Sequence, residues 1–178
     1  VSTSSEDIAM NLIQTKAAVL NNRNVALVFQ DIKRAGLNGS VNTYEPHMLA
    51  CAIAGMQAGS TVGTPLTFKI VNAVDILSHN LRVDTLDKNT SDILLQNGIL
   101  FTEKVKGKGH RVVKNISTYT ATDNVAYTDR NVNYELNYMA YDLRTFIEDR
   151  FVGEKGTPAT VTSIKSALLT KLEIYKSN

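Results

Sequence analysis

The segment Tyr44–Thr67, YEPHMLACAIAGMQAGSTVGTPLT, constrains the fold of this chain most. Its spacing predicts a helix over Met48–Gln57, with Pro46 suited to the first turn and glycines at the exit. Ala50, Ala52, Ala54, Gly55 and Ala58 leave so little bulk that another backbone can approach closely. Such a helix is built to be packed against. Upstream, Val25–Phe29 is a short apolar run, the mark of a strand buried on both faces. Gly36 and Gly39 then open a loop that reaches Glu45-Pro46. A helix precedes the strand. Ser4 and Asp7 have the spacing of a capping box, and Ile8, Leu12, Ile13, Ala17 and Leu20 recur at helical intervals up to Asn21-Asn22. Helix, buried strand, loop and helix is the order of a parallel α/β sheet. The chain opens at Val1 almost directly on that capped helix, which reads as a piece of a longer polypeptide.

After Pro65 the pattern changes. Phe68–Val74 reads as a strand, and Asp87–Asn97 as a short helix that Gly98 stops. Ile99, Phe101 and Val105 alternate with Leu100, Thr102 and Lys104, which predicts a half-buried strand. Gly107-Lys108-Gly109 is a tight turn, and Arg111–Tyr119 returns as the partner strand of a hairpin. Thr120–Asn131 is polar and reads as a loop. A long helix follows over Val132–Phe151, with Leu136, Met139, Leu143, Phe146 and Ile147 on one face. Thr157-Pro158 is an N-cap followed by proline at the first helical position. Val161, Ile164, Leu168 and Leu172 form the stripe of the last helix. The expected organisation is two pieces: residues 1–66 as the end of a parallel α/β domain, and residues 67–178 as a compact α+β unit.

The side chains that might carry chemistry are few. His47 and Cys51 stand at i and i+4, so a thiolate–imidazole pair, as in a thiol-dependent hydrolase, is one reading. The other is a helix-start histidine beside a small buried cysteine; no orienting third group is visible in the sequence. His79 and His110 have no ligand-like neighbours and read as exposed loop or strand residues. Lys104, Lys106, Lys108, Arg111 and Lys114 crowd the hairpin. Lys-Gly-Lys-Gly-His suggests a phosphate or nucleic-acid site, but neither a P-loop nor a dinucleotide fingerprint is present. The alternatives are lysines guarding an edge strand and a contact with an acidic face of another subunit. A formal net charge of +2 over 178 residues gives no reason to expect nucleic acid or a membrane surface. The longest apolar run, Met48–Met56, is too short to span a bilayer. With one cysteine, no disulfide can form within the chain. Tyr134, Tyr138 and Tyr141 lie along the long helix, off the Leu/Met stripe, where tyrosine suits an interface. No catalytic, cofactor or metal site is expected, and the chain reads as a non-enzyme.

These segments, in this order, resemble the contractile tail sheath proteins of phages and related contractile particles. Val25-Ala-Leu-Val-Phe29, the glycine-containing loop, Tyr44-Glu-Pro-His47 and Ala50–Gly59 resemble the last strand and helix of the family's subtilisin-like α/β domain. Gly63-Thr-Pro-Leu-Thr67 is similar to its exit from that helix. Leu94-Leu95, Asn97-Gly98-Ile99 and the strand pair resemble the next segment. Tyr141-Asp-Leu-Arg144 and Phe151-Val-Gly-Glu-Lys-Gly-Thr-Pro158 resemble a helix and exit further on. The resemblance runs from about Val25 over nearly the whole chain. It implies a structural subunit that stacks as hexameric rings into a helical sheath around a tail tube, above a baseplate. On triggering, that sheath contracts and drives the tube through the host envelope. The implied setting is a virion tail assembled in the host cytoplasm. The implied partners are neighbouring sheath subunits, the tube protein and the baseplate, with no nucleic acid and no direct membrane binding. On this reading Lys104, Lys106, Lys108, Arg111 and Lys114 touch the tube or an adjacent subunit.

Overall fold

The structure is a computed structural model that describes residues 5–78, 81 and 88–177. Two compact units divide the chain, Val1–Tyr134 and Glu135–Asn178. The joint expected at residue 66 falls inside the first of them.

The fold is mixed α/β. The first helix, α1 (Ser5–Leu20), forms where the apolar period predicted it; its expected cap Ser4 lies outside the described residues. The face it turns inward differs from the expected stripe. Ala9, Met10, Ile13 and Ala17 pack on the core, whereas Ile8 and Leu12 are more than half exposed. Val25–Phe29 does not form a regular strand. Its parallel pairing reduces to one bridge, Leu27 with Ile99. The regular strand begins after it, as β1 (Asp31–Ala35), which pairs antiparallel with β2 (Val41–Tyr44). The Gly36–Gly39 segment is therefore the turn of a hairpin and not a loop to the next helix. Asn38 builds that turn: its Oδ1 accepts from the Ser40 N–H at 3.2 Å and the Ser40 hydroxyl at 2.6 Å.

The small-residue helix is α2 (Pro46–Ala58), with proline at its start and Gly59 at its C-cap. Leu49, Ile53 and Gln57, one per turn, are its buried residues. Beyond it, the chain turns sharply. The Lys69 N–H donates to Leu66 O at 3.0 Å, and Phe68 sits in the third position of that turn with φ 63. Glycine is the usual occupant there; a bulky side chain in this region is strained by about 1–2 kcal/mol. The strand expected over Phe68–Val74 is thereby confined to β3 (Ile70–Val71), followed by β4 (Asp75–Leu77). Next come α3 (Lys88–Gln96) and the expected hairpin, β5 (Thr102–Val105) and β6 (Gly109–Val112), whose return strand starts at Gly109 and stops at Val112 instead of running over Arg111–Tyr119. The start expected for α3 at Asp87 lies outside the described residues. A short α4 (Val125–Thr128) forms inside the expected loop, and α5 (Arg130–Phe151) is the expected long helix begun at Arg130 instead of Val132.

Among the described residues there are two three-stranded antiparallel sheets, ordered β2-β1-β4 and β3-β6-β5. The first joins Lys33 to Asp75 across the segment boundary read from the sequence. Two apolar cores lie against these sheets. One gathers Ile32, Leu49, Ile53, Leu66, Val71, Ile76, Leu100 and Val112. The other gathers Ala17, Phe29, Leu81, Leu94, Ile99 and Phe101. Ile99–Phe101 is the wall between them. Leu100 points into one core while Ile99 and Phe101 point into the other, as the two-residue period requires. This segment is thus buried on both faces and not half-buried, because each face meets its own core.

Buried polar groups are tied into the same wall. Gln30 Oε1 accepts from the Thr102 N–H at 2.6 Å, and its Nε2 donates to Thr102 O at 2.8 Å. Asn115 Nδ2 donates to Gln57 Oε1 at 3.0 Å and to Asn131 Oδ1 at 2.7 Å. Asn131 Oδ1 also accepts from the Leu66 N–H at 3.3 Å. The helix end, the chain exit and the start of α5 are thereby joined through amide side chains.

The second unit contains the remainder of α5 and α6 (Pro158–Ser177). Thr157 caps α6 as predicted, accepting from the Thr160 N–H at 3.2 Å. Asp142 of α5 accepts from Lys171 Nζ at 3.0 Å and from the Tyr175 hydroxyl of α6. None of its described residues is fully buried.

Candidate interaction surface

The hairpin places its five basic residues in different settings. Arg111 is the most enclosed. Its Nε donates to Glu103 Oε1 at 2.6 Å, Nη2 reaches the same oxygen at 2.6 Å, and the guanidinium stacks on the Phe68 ring at 4.5 Å. Glu103 stands directly across the ladder, so the pairing follows from strand register. Lys104 donates to Asp75 Oδ1 at 3.3 Å. The same oxygen lies 2.9 Å from His110 Nε2. Burial pushes the Asp75 carboxyl up, but hydrogen bonds from His110, Lys104 and the Ile76 backbone outweigh it and hold the group below the ordinary value of 3.8. Lys106 and Lys108 stand exposed at the hairpin turn, with no ion-pair partner among the described residues. Lys114 is exposed further along, on the rim of a groove of about 300 Å³ with Gly98, Ser117, Tyr119 and Asp123.

His110 is not the exposed residue that the sequence suggested. It is 4% exposed and fills the junction between β6 and β4, with Nδ1 buried and lacking a partner among the described residues. Sequence reasoning missed Asp75, which organises this junction from 35 residues away. His79 lies outside the described residues.

Cys51 is also exposed, contrary to the reading of a buried thiol. It lies on the outer face of α2 with Ala50, Ala54, Gly55 and Ala58, all of them exposed. His47 is exposed too, and its Nδ1 is 3.6 Å from Glu45 Oε2, with the side chains 68% and 84% exposed. That distance exceeds a hydrogen bond, and nothing around the pair excludes water. Tyr134, Tyr138 and Tyr141 are exposed as well.

The fold is similar to part of two solved sheath tail proteins. The sheath tail protein of Desulfitobacterium hafniense matches with a TM-score of 0.65 at 17% identity, over 98% of this chain and 44% of that one. The sheath tail protein Lin1278 of Listeria innocua matches with 0.65 at 16%, over 96% and 44%. The sequence comparison points the same way. The tail sheath protein of Bacillus phage SP01 is 29% identical over 153 residues, 86% of this chain and 26% of the relative. That of Staphylococcus phage Twort is 25% identical over 155 residues, 84% of this chain and 25% of the relative. No family model matches the chain. The resemblance to phage tail sheath proteins thus holds over most of this chain, which spans about a quarter of the length of the curated relatives it matches.

Proposed function

We propose that this chain is the C-terminal part of a structural subunit of a contractile tail sheath. The observation that carries the reading is the sequence relation to a phage tail sheath protein over 86% of the chain, with the sheath fold over 98% beside it. In the whole subunit, the segment up to residue 66 ends a subtilisin-like α/β domain and residues 67–178 carry the C-terminal α+β part, the two sharing the β1–β4 pairing and one apolar core. Subunits stack as hexameric rings into a helix around the tail tube, above the baseplate, in a virion tail assembled in the host cytoplasm. Contraction drives the tube through the host envelope. The role is structural and needs no catalysis or cofactor. Heterologous contacts that do not close generate such an array.

Within this reading, Lys104, Lys106, Lys108, Arg111 and Lys114 form the contact with the tube or an adjacent subunit. Lys106 and Lys108 meet the acidic partner surface, whereas Lys104 and Arg111 fix the hairpin through Asp75 and Glu103. Electron microscopy of the full-length protein tests the whole: long hollow tubes are expected, and dispersed particles under every assembly condition argue against it. Reversing charge at Lys106 and Lys108 in that protein is expected to impair sheath assembly around tubes. Normal sheaths from the double variant would remove the contact.

A further inference from the structure

We propose that Asn38 is a site of spontaneous covalent modification, where the side-chain amide, polarised by Ser40, loses ammonia to attack by the Gly39 backbone and becomes aspartate or isoaspartate. The sequence holds two Asn-Gly pairs, Asn38-Gly39 and Asn97-Gly98. A glycine after asparagine leaves the following backbone nitrogen open to approach, because it carries no side chain. The two pairs share that local chemistry, so the fold decides which of them reacts.

Asn38 and Gly39 are exposed in the turn between β1 and β2. A Cβ at Gly39 would meet nothing within 4 Å, so the turn has room to move. The Asn38 carbonyl is already polarised. Its Oδ1 accepts from the Ser40 hydroxyl at 2.6 Å and from the Ser40 N–H at 3.2 Å. Asn42 Nδ2 donates to the Ser40 oxygen at 3.5 Å, which leaves the hydroxyl proton to Asn38. Donors on Oδ1 stabilise the oxyanion that forms as a nucleophile adds to Cγ. One contact opposes the attack: the Gly39 N–H donates to Gly36 O at 3.0 Å. The reaction therefore waits for that bond to open, and surface turns open at little cost.

The step balances. Gly39 N gives up its proton and bonds to Asn38 Cγ, the Cγ–Nδ2 bond breaks, and ammonia leaves a succinimide. Water then opens the ring at Cγ, giving isoaspartate or aspartate according to which carbonyl bond is cut. Either product replaces a neutral amide by a carboxylate, so the formal net charge falls from +2 to +1. Isoaspartate also routes the backbone through the Asn38 Cβ, inside the turn that the Ala35–Val41 pair closes.

Asn97-Gly98 is held instead. Asn97 is half-buried at the end of α3, where Ile93 O accepts from its Nδ2 at 2.8 Å and from its N–H at 3.2 Å. The Gly98 N–H donates to Leu95 O at 3.1 Å. Gly98 is buried, and its Cβ position lies 2.6 Å from Ser117 O. Closing a succinimide there requires a rearrangement against backbone that leaves no room.

Peptide mass spectrometry on this chain, digested after incubation at mildly alkaline pH, is the test. In the folded chain, conversion is expected at Asn38 and not at Asn97. In urea the fold protects neither pair, so both are expected to convert. Ser40→Ala leaves only the backbone donor on Oδ1 and is expected to slow conversion at Asn38 in the folded chain. A folded chain that keeps Asn38 intact while the unfolded chain converts it overturns the proposal. So does a folded chain that converts Asn97 as fast as Asn38, or a Ser40→Ala variant that converts at the wild-type rate.

Discussion

Gly98 shows how a single residue decides the packing of the wall between the two cores. It ends α3 with φ 68, and a Cβ there would lie 2.6 Å from Ser117 O and 3.0 Å from Thr118 Cα. Both neighbours are backbone, so neither can swing aside. Gly107, in the hairpin turn, has a similar φ of 77 but nothing within 4 Å. The two positions therefore separate conformational strain from collision. Gly107→Ala is expected to cost about 1–2 kcal/mol. Gly98→Ala adds overpacking against fixed backbone, for about 2–4 kcal/mol in total. Urea midpoints at constant m-value check the difference; equal losses at the two sites would show that the segment carrying Ser117 yields. The stop at Gly98 was readable in the sequence. The collision was not, because Ser117 reaches Gly98 only through tertiary folding.

At the scale of elements, the long helices were legible, while the short α4 and the first sheet were not. The long helices announce themselves by period and by Thr157-Pro158, whereas β1, β2 and β4 are three to five residues long and carry Lys33, Arg34 and Asn42. Their pairing reaches from Lys33 to Asp75, and no local pattern encodes such a contact. Asn38-Gly39 was the available hairpin signal. The basic cluster was likewise legible as a run of residues, but its division was not, since Asp75 belongs to a strand that the sequence did not reveal. That division has a pH signature. The folded-state pKa of Asp75 is lowered, so its stabilisation is complete above the ordinary value of 3.8 and is lost as pH falls through the folded value. Asp75→Ala should cost about 1 kcal/mol at neutral pH. The gap to the wild type, followed by thermal melting, should close on acidification; a gap independent of pH would mean that the strand and not the carboxylate is responsible. Tyr175 provides the alkaline counterpart in the helical unit. Its hydrogen bond to Asp142, with burial and nearby charge, raises its pKa from 10.0 to about 12. Its contribution is complete below 10.0 and is lost as pH rises through about 12. Following tyrosinate absorbance, Tyr175→Phe should remove the last ring to ionise; an unchanged final step would assign it to another tyrosine.

At the scale of the molecule, the two units differ in how they satisfy the demand for burial. Val1–Tyr134 holds both apolar cores and the Gln57–Asn115–Asn131 network, so its stability is internal. In Glu135–Asn178 no described residue is fully buried, and Leu136, Tyr138, Tyr141, Val161, Leu169 and Ile174 are between 44% and 69% exposed. Two helices held by the Asp142, Lys171 and Tyr175 contacts have too little core to offset their chain entropy, since domains of roughly 40 residues ordinarily need staples or partners. Expressed separately, residues 1–134 are expected to unfold cooperatively in urea. Residues 135–178 are expected to show weak helicity that declines gradually with temperature. Cooperative melting of the isolated 135–178 segment would show that its helices stabilise each other unaided. Gradual melting means that this segment depends on apolar surface supplied from elsewhere, which the proposed sheath assembly would provide.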